Sequence, residues 1–258
     1  MDNTTVIIQA RTGSQRLPGK VLRLIAGKPV LEHIIDRVRR ARRIQEIIVA
    51  TTILKEDLGI VSLCASKGVR VYCGSENDVL DRYYQAARLA QAKHIVRITG
   101  DCPLIDPKVI DKVIARYERS AADYSSNVLA HTFPDGQDVE VFSFKALGKA
   151  WKEARLLSER EHVTPYIWKN PRLFALSGIE HKKDLSDKRW TLDNPEDLRF
   201  ISKIYKHLYK KSPLFGMEDV LKLLKKHPEY EIINAKISRN EGYAKSLTND
   251  TTIKKESA

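Results

Sequence analysis

Residues Gln9-Ala10-Arg11-Thr12-Gly13-Ser14-Gln15-Arg16-Leu17-Pro18-Gly19-Lys20 gather two arginines, a lysine and two glycines into one short stretch. Glycines let backbone N–H groups approach phosphate oxygens closely, and the cations neutralise the charge those oxygens carry. The stretch therefore reads as a phosphate cradle. It is not a Walker A loop: five residues separate Gly13 from Gly19 where that motif has four, and Val21 stands where it needs Ser or Thr. A G-x-G-x-x-G dinucleotide fingerprint is also absent. A plain basic surface loop is the competing reading, and the concentration of Arg11, Arg16 and Lys20 beside the glycines argues against it.

Two aspartates invite a metal. Asp101, in Thr99-Gly100-Asp101-Cys102-Pro103, can serve as a magnesium ligand, since that ion takes a few carboxylates plus phosphate oxygens and water. It can equally be a turn or helix-cap aspartate. Asp193 follows Trp190-Thr191-Leu192 and precedes Asn194-Pro195-Glu196-Asp197-Leu198, which reads as a helix start by its Pro and acidic residues, where the dipole alone favours a carboxylate. Further along, Gln137, Asp138 and Glu140 flank an alternating strand pattern. Glu159, Arg160, Glu161 and His162 form a dense ionic cluster, in which His162 is either an acid–base group or part of a structural ion-pair network.

The elements that must position these groups alternate regularly in the first half. Val6-Ile7-Ile8, Ile47 to Ala50, Val69 to Tyr72 and Ile95 to Ile98 read as buried strands. Helices are expected after Pro29, from about 56 to 67, from 78 to 92 and from 107 to 119. That alternation predicts right-handed βαβ units and a mostly parallel sheet covered on both faces, with ligands at the carboxyl ends of the strands. The cradle and Asp101 fall at such ends. In the second half, strands are expected at 138–142 and 173–179 and helices at 144–157, 195–208 and 218–226. The expected organisation is one domain over 1–245, with a frayed tail at 246–258.

Composition narrows the classes. At 258 residues, 42% hydrophobic and 30% charged, the chain is long and apolar enough for one substantial core. No apolar run approaches the roughly 20 residues that span a bilayer, and the N-terminus lacks signal-peptide character, so a cytoplasmic location is expected. Cys64, Cys73 and Cys102 form no CxxC pair, which points to a reducing compartment. Cys64 and Cys73 lie in apolar stretches and read as small buried thiols. The formal charge of +12 suits nucleic acid, an anionic surface or polyanionic small molecules. The cluster Arg37, Arg39, Arg40, Arg42 and Arg43 reads as a solvated helix end, because no aromatics interleave it for base stacking.

The stretch Gln9 to Leu22, QARTGSQRLPGKVL, closely resembles the signature loop of the cytidylyltransferase family, which includes the CMP-KDO and CMP-acylneuraminate synthetases, and in particular its spore-coat polysaccharide biosynthesis protein F-like members. Gly74 to Tyr83, Arg97 to Leu104 and Glu161 to Pro165 fit the same pattern, and the resemblance extends to about Phe200. Residue 12 is Thr where Met is commoner, a change expected to be tolerated. The resemblance implies an α/β, single-domain, Rossmann-like sheet of the nucleotide-diphospho-sugar transferase type. It implies transfer of CMP from CTP to a small anionic sugar-like acceptor, with release of pyrophosphate and with Mg2+ as cofactor, for surface polysaccharide or glycoconjugate synthesis.

By position, the resemblance assigns Arg11, Lys20 and Asp101 to catalysis and Asp101 and Asp193 to the metal. Arg11, Arg16 and Lys20 would hold the triphosphate, with Gly13 and Ser14 in the same loop. Ala10, Thr51, Thr52, Gly74 and Ser75 would line the base and ribose pocket. Gln137, Asp138, Glu140, Glu161 and His162 would face the acceptor. Such synthetases are commonly dimers, which makes a homodimer an expectation. Another NTP, or a metal-dependent glycosyltransferase of this fold class, stays open. A basic nucleic-acid-binding protein is disfavoured, because the cations concentrate in the cradle.

Overall fold

The computed structural model describes residues 3–252. Strand β1 (Thr4–Gln9) leads into the cradle. A small hairpin of β2 (Leu24–Ile25) and β3 (Lys28–Pro29) follows, and then helix α1 (Val30–Val38). The alternation continues with β4 (Glu46–Thr52), α2 (Leu58–Ser66), β5 (Arg70–Gly74), α3 (Val79–Leu89), β6 (His94–Thr99) and α4 (Pro107–Arg119). Beyond it come β7 (Tyr124–Ser126), β8 (Glu140–Ser143), α5 (Phe144–Glu153), α6 (Leu157–His162), α7 (Pro165–Trp168) and β9 (Leu176–Gly178). The chain closes with α8 (Pro195–Leu208), α9 (Met217–Lys226) and α10 (Glu241–Thr248).

Seven strands form one sheet in the order β5-β4-β1-β6-β8-β7-β9. Strands β5, β4, β1 and β6 are parallel, and β8 runs against its neighbours β6 and β7. The expected mostly parallel α/β sheet is therefore present. Because β8 is reversed, its start at Glu140 pairs with Arg97 near the end of β6. The same edge of the sheet thus carries the loops after β1, β4, β5 and β6 and the segment that enters β8.

Both faces are covered, as the alternation of side chains along each strand requires. Val6 and Ile8 of β1 pack with Val49, Val96 and Ile98 under α1, α4, α8 and α9. Ile7 points the other way and packs with Ile48, Ala50 and Ile95 under α3 and α5. Helix α4 begins at Pro107 behind the cap Asp106, whose carboxylate accepts from Lys108 N–H. It presents Val109, Ile110, Val113, Ile114 and Tyr117 to the core.

Three expectations need correction. Arg37 is buried, not solvated: it donates to the carbonyls of Ile105 at 2.6 Å and Phe215 at 2.8 Å, and its guanidinium lies 4.7 Å from the Phe215 ring centre. Arg39, Arg40, Arg42 and Arg43 are exposed, as expected. Cys73 is exposed because β5 is the edge strand, whereas Cys64 is buried, and burial pushes its thiol up to about 11. The tail does not fray at 246: α10 runs to Thr248, Asp250 accepts from Ser158, and Leu157 N–H donates to Thr251. The rest of that tail, 253–258, lies outside the described residues.

Candidate active site

The cradle is a folded-back loop. The carbonyl of Thr12 accepts from both Ser14 N–H at 2.8 Å and Gly19 N–H at 2.9 Å, and Gly19 takes φ +67°, a conformation that favours glycine. Thr12 is itself tethered. Its N–H and its hydroxyl each donate to Asp57 Oδ1 at 2.7 Å, and Thr52 Oγ1 donates to the other oxygen of the same carboxylate. Burial alone would raise the pKa of Asp57, but these hydrogen bonds outweigh it and hold the carboxyl below its ordinary range. Threonine at position 12 therefore contributes a hydroxyl that methionine lacks.

From this loop Lys20 reaches inward and donates to Asp101 Oδ2 and Asp193 Oδ1, both at 2.7 Å. Arg16 lies 3.2 Å from the same oxygen of Asp193. Three segments that are far apart in sequence thus converge on one point at the carboxyl end of the sheet. Gly100 permits the approach: a Cβ there would stand 2.7 Å from the carbonyl oxygen of Gln9, so any side chain would push Asp101 away from the cradle. Burial works against ionisation of the cluster, yet Lys20 holds the Asp101 carboxyl down at about 2. The two aspartates in turn raise the Lys20 ammonium above its ordinary value.

Asp193 is braced from behind. Arg189 Nη2 donates to Asp193 Oδ2 at 3.2 Å, while its Nε and Nη1 bind Asp197 Oδ1 at 2.9 Å and Asp135 Oδ2 at 3.1 Å. The N–H groups of Asp193 and Asn194 donate to Asp197, which caps α8. Arg11 pairs with Glu76 at 3.2 Å, which draws the cradle to the loop after β5. Arg82 fixes that loop by donating to the carbonyls of Ser75 and Glu76. Gly74 makes room, since a Cβ there would meet the Tyr72 ring at 2.8 Å.

The cytidylyltransferase family profile matches residues 5–228. A protein of Methanocaldococcus jannaschii of uncharacterized function is 42% identical over 243 residues, spanning 92% of this chain and 96% of its own. The spore coat polysaccharide biosynthesis protein SpsF of Bacillus subtilis is 31% identical over 236 residues, spanning 89% of this chain and 97% of its own. A cytidylyltransferase of Leptospira borgpetersenii superposes with a TM-score of 0.84 at 32% identity, covering 89% of this chain and 96% of that one. The chain belongs to the cytidylyltransferase family. It is accordingly a nucleotidyltransferase enzyme, and its fold is the Rossmann-like sheet of that class.

In this cytidylyltransferase the converging residues open onto a cavity of about 460 Å³ lined by Gln9, Arg16, Asp101 and Asp193 on one side and Asp138, Glu140 and His162 on the other. Glu140 is buried and shared among Arg97, Tyr124 Oη and Thr164 Oγ1. Asp138 accepts from Arg239 at 2.8 Å. Two acceptor assignments change. Gln137 is fully buried, with its amide spent on Asp106 N–H and the Leu104 carbonyl, so it braces the backbone. Glu161 turns outward to Ser246 Oγ and does not line the cavity. Thr51 and Thr52 are buried, so their side chains are closed to a nucleotide and only their backbone can line a base pocket. A larger cavity of about 1090 Å³, between α4, α9 and residues 179–188, holds none of the converging groups. No helix among the described residues is long and apolar enough to cross a membrane.

Asp57, Glu76, Arg189 and Arg239 were not singled out from sequence. Asp57 and Glu76 sit just beyond strand ends on the ligand side of the sheet, which was the signal available. Arg189 and Arg239 acquire their roles through long-range contacts that no local pattern displays.

Proposed function

We propose that the enzyme transfers CMP from CTP to a hydroxyl of a small anionic sugar, releasing pyrophosphate, with Mg2+ as cofactor and in the cytoplasm. The observation that carries this reading is the meeting of Lys20 with Asp101 and Asp193 at 2.7 Å each, beside Arg16 and the mouth of the cradle. Triphosphate oxygens entering the cradle would meet Arg11, Arg16, Lys20 and the backbone from Ala10 to Ser14. The choice of CTP follows the family, and the sugar-like acceptor follows the polysaccharide role in the name of SpsF. The three cysteines are unpaired, which suits a reducing compartment.

The residues present fit magnesium. Two hard carboxylate oxygens, Asp101 Oδ2 and Asp193 Oδ1, face one point, each 2.7 Å from the Lys20 ammonium. That is a donor set completed by phosphate oxygens and water, the habit of this ion. Asp101 and Asp193 would hold it, and when bound it polarises the α-phosphate and favours ionisation of a hydroxyl it contacts. The remaining work belongs to the chain. Lys20 exchanges its two carboxylates for phosphate oxygens and stabilises the charge that develops on departing pyrophosphate. Arg11 and Arg16 fix the triphosphate so that the acceptor hydroxyl attacks the α-phosphorus in line. The P–O bond to the attacking oxygen forms as the bond to pyrophosphate breaks, and the hydroxyl proton passes to solvent or to a neighbouring carboxylate.

The test is a pyrophosphate-release screen of the four NTPs with Mg2+ against a panel of acidic sugars. CTP-selective release that needs an acidic sugar supports the reading. Release with another nucleotide, or turnover of a nucleotide-sugar without pyrophosphate, overturns it.

A further inference from the structure

The family match ends at residue 228, but the wall of the cavity does not. Asn240, Glu241, Gly242 and Tyr243 line the same 460 Å³ as Gln9, Arg97, Asp101 and Asp193. The segment that carries them is tied down along its length. Asn234 Nδ2 donates to the Arg189 carbonyl at 3.0 Å and to Asp197 Oδ1 at 2.9 Å. Arg239 holds Asp138 and the Phe133 carbonyl, Ser246 bonds His162 and Glu161, and Asp250 bonds Ser158.

Two observations give this wall a chemical character. The Tyr243 ring lies 4.9 Å from the His162 ring, edge to face, and 6.1 Å from Trp168, so an aromatic surface borders a cleft that Arg97, Asp138 and Glu140 also line. Tyr243 Oη is buried without a hydrogen-bond partner, as are Gln9 Oε1 and Arg97 Nε, which belong to the same cavity lining. Buried polar groups are normally satisfied, and a set of orphans around one cavity marks where a hydroxyl-rich ligand completes the bonding. One residue of the wall also touches the cradle: Glu241 pairs with Arg16 at 2.7 Å. Both partners are about two-fifths exposed, at 41% and 39%, so the pair is weak and readily displaced.

We infer that Asn240 to Tyr243, beyond the residues that the family profile matches, forms the acceptor wall of this enzyme. A polyhydroxylated sugar ring lies along Tyr243, with its hydroxyls on Tyr243 Oη and its neighbours. Glu241 latches the wall to Arg16 until triphosphate oxygens take the guanidinium. The inference rests on the proposed nucleotide site. It makes Tyr243 a specificity-determining residue and Glu241 a positioning residue.

The experiment uses the whole chain with Mg·CTP as the probe, followed by calorimetry and by hydrogen exchange of residues 239–248. Saturating CTP is expected to change exchange in that segment, and Glu241→Gln to tighten CTP by about two- to fivefold, the scale of one exposed pair. With the acidic sugar that turns over, Tyr243→Phe should raise the acceptor KM by about tenfold, leaving CTP affinity within about twofold. Tyr243→Ala should raise that KM further. A chain that does not bind CTP overturns the parent reading and this one with it. A chain that binds CTP with its 239–248 exchange unaltered, or a Tyr243→Phe enzyme with an unchanged acceptor KM, overturns the wall alone.

Discussion

Lys20 answers to two masters: in the structure it neutralises Asp101 and Asp193, and on the proposed mechanism it faces phosphate in turnover. Lys20→Ala removes one preorganised cation from the departing pyrophosphate, and turnover should fall about 10²- to 10³-fold. Steady-state pyrophosphate release measures it, and near-normal turnover rejects the role. Asp101→Ala should abolish magnesium-dependent release while circular dichroism stays that of a folded protein. Persistence of full activity would move the metal elsewhere. His162 makes a pH prediction. Burial, assisted by Arg97, pushes its imidazole down to about 4 against the opposite pull of Glu161 and Glu140. The unfolded imidazole takes a proton near 6.5, so between about 6.5 and 4 the unfolded state binds more protons. Stability attributable to His162 is therefore lost as pH falls through that window and is unchanged above it. A plot of Tm against pH should be flatter for His162→Gln over that interval, and parallel plots would refute the assignment. At this scale the sequence singles out residues that the structure brings together, Lys20 with Asp101 and Asp193, because charge and glycine content concentrate there. Gln137 and Glu161 were misread, since polarity alone does not say whether a side chain faces a cavity, the backbone or solvent.

Elements turn those residues into a site. The cradle's conformation depends on a neighbour in the connection between β4 and α2: Asp57 accepts both hydrogen bonds from Thr12. Asp57→Ala should cost about 1–3 kcal/mol of stability by stranding these donors, and lower kcat/KM for CTP by about 10- to 100-fold through a misplaced loop. Asp57→Asn keeps one acceptor oxygen and should fall between. Equal kinetics for all three proteins would show that the tether is dispensable. The four parallel strands and the helices α1, α3, α4 and α8 were readable because β-branched runs and 3.6-residue periods are long there. Helix α4 matches its expected limits, 107–119, where Pro107 and the cap Asp106 mark the start. Strand β7 has three residues and α7 four, too short for either period to emerge. Helix α10 buries no residue, and contacts to distant side chains hold it, whereas the 3-10 turn at 228–233 is too short for a period to emerge and rests Tyr230 and Ile233 on the core.

Across the whole molecule, the buried Arg37 joins α1 to the start of α4 and to the entry of α9 through carbonyls that no other guanidinium reaches among the described residues. Arg37→Met should destabilise the fold by about 3 kcal/mol, seen as a lower denaturant midpoint, with kcat for the transfer unchanged. A matching loss of kcat would mean that the arginine acts on the site. The reversed direction of β8 has a broader consequence. On the proposed reading, groups that grip the nucleotide come from the polypeptide before residue 105, whereas those facing the second substrate come after 130, with helix α4 as the seam. Asp193 crosses back to complete the ionic centre, and Glu241 crosses back to Arg16. On the proposed reading, the later portion can be exchanged for another, changing the acceptor while the base preference stays. Chimeras joined within α4 test that division.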